Sequence, residues 1–191
     1  SEKLKLFKTR LAGLAKRRDF VSFRSKPSFH LQLDGDAKRP GEMKGRAALR
    51  AGGVMMSEGS LEELAIELNL GDPDGIVGSL RIISLATATA KIGLATATVN
   101  ALQSATNAVP ERVDFELALG QVTVAKAAVE SVQLSGSLTS TGSPPETDES
   151  WAYWAKLAPY VADFSGLAKG VTGEKGLAIQ EVSLAGDWRA P

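Results

Sequence analysis

The chain has no cysteine and a single histidine. Lack of cysteine removes disulfides, thiolate nucleophiles and cysteine-ligated zinc, and leaves the redox compartment open. His30 has no second histidine with which to build a metal site or a serine, histidine and acid triad, and it falls on the polar side of an alternating stretch, as a surface residue does. Net charge is missing as well. The 22 Lys and Arg balance 22 Asp and Glu, so no global field draws the chain to nucleic acid, which is not an expected partner. No run approaches the roughly 20 apolar residues that a spanning helix needs, and no charged, apolar, small-residue series at the start reads as a secretion signal. Phosphate loops and dinucleotide fingerprints are also absent.

Carboxylates are plentiful, but none is arranged for chemistry. "DGD" at 34–36 and "GDPDG" at 71–75 lack the spaced oxygen ligands of a calcium loop and read as turns. Glu62 and Glu63 are adjacent, so on a helix or strand they do not face one another; Asp148 and Glu149 match the acidic first turn of a helix. No catalytic residue, metal ligand or cofactor is therefore expected, and the chain is read as a non-enzyme.

What is present is pattern. Residues 1–26 carry nine Lys and Arg against Glu2 and Asp19. Leu4, Phe7, Leu11 and Leu14 recur at helical spacing among them, which predicts an amphipathic helix over about 2–18. Its basic face (Lys3, Lys5, Lys8, Arg10, Lys16, Arg17, Arg18) suits an anionic membrane surface, or is a solvated face whose apolar stripe packs inward. From Pro27 the period becomes two. Phe29, Leu31 and Leu33 alternate with His30, Gln32 and Asp34; Leu64, Ile66, Leu68 and Leu70 with Glu67 and Asn69; Val113, Phe115, Leu117 and Leu119 with Asp114 and Glu116.

"LATATAKIGLATATVNAL" (85–102) reads two ways. Leu85, Ala88, Ile92, Ala95, Val99 and Leu102 make a helical stripe, yet Thr and Gly are weak helix formers and the flanking segments are strands. Strand is preferred, bent near Gly93 or passing twice, with helix as the alternative. After the Pro-rich loop, Thr147 as N-cap and Trp151, Trp154, Ala155 and Ala158 at helical spacing predict a helix over about 148–169, kinked near Pro159. "LQLDGDA", "VQLSGSL" and "VSLAGDW" suggest an internal repeat, with Gly35, Gly136 and Gly186 spaced 101 and 50 apart. The organisation expected is a helix and connection (1–26), an antiparallel β region (27–142), a loop and helix (143–175) and a returning strand (176–191), all within one domain that is a piece of a longer repeat protein.

"FHLQLDGDAK", "GRAALRAGGVMMSEGSLEELAIELNL", "VDFELALGQVTVAKAAVESVQLSGSL" and "LAIQEVSLAGDWRAP" are successive amphipathic strands, and in this texture the chain resembles the AsmA and TamB superfamily of periplasmic bridge-like lipid transfer proteins. The membrane anchor that begins those proteins is absent here, and the Trp-rich segment interrupts the strand series. With the two helices read above, the fold expected is mostly β, and the resemblance implies an elongated antiparallel sheet strongly curved into an open groove whose concave apolar face holds acyl chains. Phe29, Leu31, Leu33, Leu64, Ile66, Leu68, Val113, Phe115, Leu117 and Leu119 would line it. It further implies a periplasmic or cell-envelope location, anchored through another part of the parent chain, with phospholipid or another acyl lipid as ligand and envelope proteins as further partners. A closed β scaffold or adhesion module with a dry core is the rival reading, because its strands would alternate identically.

Overall fold

The computed structural model describes residues 21–35, 44–72, 75–103, 110–141 and 160–189. Ten strands account for 87% of them: β1 (Val21–Phe23), β2 (Ser28–Asp34), β3 (Lys44–Met56), β4 (Gly59–Asp72), β5 (Gly75–Thr87), β6 (Ala90–Gln103), β7 (Pro110–Val124), β8 (Ala127–Ser140), β9 (Tyr160–Thr172) and β10 (Ala178–Arg189). They form one antiparallel sheet. From β3 to β10 each strand pairs with the next, and β1 and β2 lie end to end along the free side of β3, against Val54–Met56 and Lys44–Arg50 respectively. Two-residue turns close three hairpins at one end of the sheet, at Ser57–Glu58, Ala88–Thr89 and Ala125–Lys126. At the second of these the Thr87 hydroxyl accepts a hydrogen bond from Ala90 N at 3.0 Å. A single 3-10 turn at Glu174–Gly176 joins β9 to β10.

Six apolar residues are buried among those described: Ala51, Val54, Leu61, Ala95, Ala101 and Tyr160. Ala51, Val54 and Leu61 form the main cluster, with Leu64, Ile82 and Leu85 packed against it. Residues three apart on one strand should point to opposite faces, yet Ala51 and Val54, Leu61 and Leu64, and Ile82 and Leu85 meet in this cluster. A line of irregular backbone explains it. Gly53, Ser84, Gln121 and Gly170 have φ of 60, 54, 55 and 63. They sit one each on β3, β5, β7 and β9, and their opposite numbers on the intervening strands (Glu62, Gly93, Glu130, Gln180) are the positions at which the ladders skip a pair. This crease crosses the sheet without slipping its register, and it shifts the in-and-out alternation by one residue. Beyond β5 the same spacing recurs in Ile92 and Ala95, Leu119 and Val122, Val129 and Val132, Ala168 and Val171, and Ile179 and Val182.

Several expectations are corrected. The sheet is open, uncurved and unclosed, so the strongly curved groove is not formed. Strong curvature comes from bulges that lengthen one strand against its neighbour, and here register slips fall only near strand ends, at Leu70/Asp72 and Leu102/Gln103. A closed barrel with a dry core would need β10 to pair with β1 or β2, and it pairs with β9 alone. No α-helix occurs among the described residues. The helix expected over 148–169 is overturned at residues 160–169, which belong to β9. There Ala162, Phe164, Gly166 and Ala168 alternate with Asp163, Ser165, Leu167 and Lys169, and both strand edges are satisfied by β8 and β10. Residues 148–159 and the helix expected over 2–18 lie outside the described residues. Residues 85–102 are strand, but they reverse at Ala88–Thr89 and not at Gly93.

Gly53 is where the crease is least forgiving. A Cβ there would meet Arg24 Cβ while the backbone holds a left-handed conformation. Gly53→Val is expected to cost about 2 kcal/mol or more through strain and overlap, read as a lower urea midpoint with an unchanged slope. Gly176→Ala, at φ 80 with nothing within 4 Å, is expected to lose only about 1 kcal/mol.

Tyr160 supplies a second test. It is 4% exposed, and its hydroxyl donates to Pro110 O at 2.6 Å, tying the start of β9 to the start of β7. Burial raises its pKa above the ordinary 10.0, so the neutral phenol is favoured in the folded state. That stability is complete below the unfolded pKa and is lost as pH rises through the folded one. Wild type should exceed Tyr160→Phe by about 1 kcal/mol in denaturant titrations at neutral pH, and the difference should shrink above about pH 10.

Candidate functional site

Residues paired directly across an antiparallel ladder share a face, so the register sorts every side chain of the sheet. One row runs Phe29, Leu49, Ile66, Leu80, Ala97, Leu117, Leu134, Gly166, Leu184 from β2 to β10. The next runs Leu31, Ala47, Leu68, Gly78, Val99, Phe115, Gly136, Phe164, Gly186. Flanking rows hold Leu33 with Val113 and Trp188, and Leu64 with Leu119 and Val182. Every member of these four rows is apolar or glycine. All ten residues singled out from the sequence as an apolar lining therefore fall on a single face, in four adjacent rows.

Large and small side chains complement one another along the rows. A Cβ on Gly136 would lie 2.7 Å from Phe115 Cζ, one on Gly186 2.8 Å from Phe164 Cζ, and one on Gly45 2.7 Å from Leu33 Cδ2. The ends of the two rings and of the leucine thus pack over the neighbouring glycines. Gly136 and Gly186 share a row, so the 50-residue spacing is a true structural offset of two strands. Gly35 does not join them: it follows the end of β2, and Leu31 occupies that row instead.

No described element covers this face, since the ten strands make one layer. Phe29 is 67% exposed, Leu31 and Leu33 53% each, and Leu184 54%. At about 4.8 Å between strands and about 6.6 Å between same-face residues, four rows and the apolar row beyond the crease span on the order of 1,400 Å² of sheet; Ala51, Val54, Leu61, Ala95 and Ala101 are buried within it, and exposure is greatest on β2 and β10.

The opposite face is mostly polar, with Val77, Ile83, Leu94 and Leu167 among its apolar members. Its rows include His30, Glu67, Ser79, Thr98, Glu116, Ser135 and Ser165, and Gln32, Arg46, Asn69, Asn100, Asp114, Ser137, Asp163 and Asp187. His30 is exposed there, as expected of a surface residue. A side-chain hydrogen bond from Arg50 at 3.0 Å, with Arg46 at 3.6 Å, holds the Glu67 carboxyl below its ordinary pKa, against a smaller opposing effect of burial. An open depression of about 810 Å³ is bordered by Arg112, Asp114, Glu116, Asp163 and Asp187. Arg112 pairs with Asp114 at 2.9 Å, and no group of three acids or histidines among the described residues could hold a metal ion.

The sequence reasoning missed most of the apolar face. Ile76, Leu80 and Ile82 of β5, Leu134 and Leu138 of β8 and Phe164 and Trp188 share it. A glycine two or four residues from a leucine on one strand, matched by a bulky residue on the next, was the signal available. The basic residues Lys3, Lys5, Lys8, Arg10, Lys16, Arg17 and Arg18 lie outside the described residues. Asp34 and Asp72 end strands β2 and β4, and "GDPDG" includes residues 73–74, outside the described set. No family model, curated protein or solved structure matches the chain.

Proposed function

We propose that this chain is a non-enzymatic lipid-binding segment of a bacterial cell-envelope protein, and that acyl chains lie on the open apolar face of its sheet. One observation supports it above the others: an apolar surface spanning β2 to β10 without a polar interruption and without a described layer over it. A second protein layer would need matching shape, whereas acyl chains fill an irregular surface without specific polar contacts. Burying methylene groups gains roughly 0.8 kcal/mol each, so a chain with a dozen or more in contact gains on the order of 10 kcal/mol before ordering costs. Phe115 packed over Gly136 and Phe164 over Gly186 make large and small side chains alternate along the rows on which such a chain would lie. Phospholipid or another acyl lipid is the expected ligand.

Protein purified without detergent should yield phospholipid or fatty acid in amounts comparable to the protein when its organic extract is examined by mass spectrometry. Leu117→Asp and Phe115→Asp, on the apolar face, should retain strand-type circular dichroism and lose at least about tenfold of that lipid, the effect of removing about 1.4 kcal/mol of binding energy. Thr98→Asp, on the polar face, should keep it. A lipid-free extract from folded wild-type protein would sink the reading.

A further inference from the structure

The two edges of the sheet are built differently. Along β3 the outer strand is broken: β1 has three residues and β2 seven, and Arg24, Ser25, Lys26 and Pro27 separate them where the crease meets the edge. A short, interrupted edge carrying proline resists further pairing. At the other side β10 is twelve residues long, contains no proline, and is exposed at every residue except Gly186. Past the crease, residues 181–189 run regularly against β9 on one side, and no described strand pairs with them on the other.

The sequence of β10 is complementary to itself. Antiparallel pairing of two copies must keep apolar residues with apolar ones, which restricts the register to steps of two. With Ala185 opposite Ala185 of the second copy, Leu184 meets Gly186 and Val182 meets Trp188 on the apolar face, each contact occurring twice. This repeats across the junction what Leu184 already does to Gly166, over which it packs with Cγ 3.2 Å from a Cβ built there. On the polar face Glu181 meets Arg189 and Ser183 meets Asp187. Within its own chain Arg189 stands opposite Val161, so the second copy supplies the charge that β9 does not. A shift of two residues one way sets Gly186 against Gly186 and takes Glu181 away from Arg189; a shift the other way sets Glu181 against Asp187, like charge to like.

We propose that the chain forms a two-fold symmetric dimer through β10, paired antiparallel with β10 of a second copy about Ala185. The contact is isologous and closed, so it stops at two copies. It doubles the sheet and continues both faces across the junction. It goes beyond the acyl-lipid reading and does not depend on it, since the edge and not the face is used.

Light scattering coupled to size exclusion should give twice the chain mass of 20.1 kDa. Glu181→Arg or Arg189→Glu alone should weaken dimerisation tenfold or more, and the double swap should restore it. Because the chain has no cysteine, Ala185→Cys gives a clean probe of register: directly opposite residues lie about 4.5–5.5 Å apart between Cα atoms, within disulfide reach. Mild oxidation should cross-link Ala185→Cys efficiently and Ser183→Cys poorly. A monomer up to about 200 μM, a range in which any dimer with a Kd tighter than that would show itself, overturns the proposal and leaves the β10 edge for a strand of a different chain. A dimer that ignores the charge reversals and fails to cross-link at 185 overturns it too, in favour of contact through the apolar face.

Discussion

The antiparallel ladder is the constraint on which everything else in this molecule rests. A globular domain usually draws its cohesion from a core of fully buried side chains, but here no described side chain is less than 2% exposed and six apolar residues are merely buried. Backbone pairing from β3 to β10 takes the place of that core, helped by cross-strand side-chain pairs worth roughly 0.2–1 kcal/mol each. Such pairs are weak singly and numerous together. The ladder also does the sorting: because its register holds from strand to strand, a sequence that alternates apolar and polar residues yields one apolar and one polar face across the whole sheet.

The crease follows from the same constraint. If one strand alone shifted its alternation by a residue, every side chain beyond the shift would turn to the wrong face relative to its neighbours. The shift is consistent only if all strands make it at the same level. Gly53, Ser84, Gln121 and Gly170 sit at that level on alternate strands. Two of the four are not glycine, and each non-glycine residue in this conformation costs roughly 1–2 kcal/mol. The cluster of Ala51, Val54, Leu61, Leu64, Ile82 and Leu85 straddles the line and offsets that strain, since its members would be split between two faces without it.

The crease also explains what the sequence made legible and what it hid. β2, β4, β7 and β10 were readable because on one side of the crease their alternation is strict and their apolar residues are large. The stretch 85–102 was ambiguous for a physical reason: Ile92 and Ala95 straddle the crease at a spacing of three, which is helix spacing imposed on a strand. The helix expected through residues 160–169 failed because Ala162, Gly166 and Ala168 carry the apolar face of β9 with side chains too small to mark a period of two. Strong curvature was expected from a resemblance of strand pattern, yet strand pattern fixes which face is apolar and says nothing of bulges. The ten lining residues came out on one face because alternation alone determines that much; their partners on β5, β8 and β9 needed the register.

The exposed face and the exposed edge are unequal demands on the molecule. Water hydrogen-bonds well to the free N–H and C=O groups of an edge strand, so pairing them returns a net gain of only about 0.5–1.5 kcal/mol per bond. Water does nothing comparable for Phe29, Leu31 or Leu184, and each methylene left in it forfeits roughly 0.8 kcal/mol. Covering the face is therefore the larger driving force, and edge pairing does not compete with it. Strands added at β10 lie in the plane of the sheet, leave the apolar rows open and lengthen them, as Leu184 and Gly186 carry the large and small alternation of β9 out to the rim. An apolar guest that gains in proportion to its contact length would gain from that extension, so the two surfaces are coupled through the rows that end at β10.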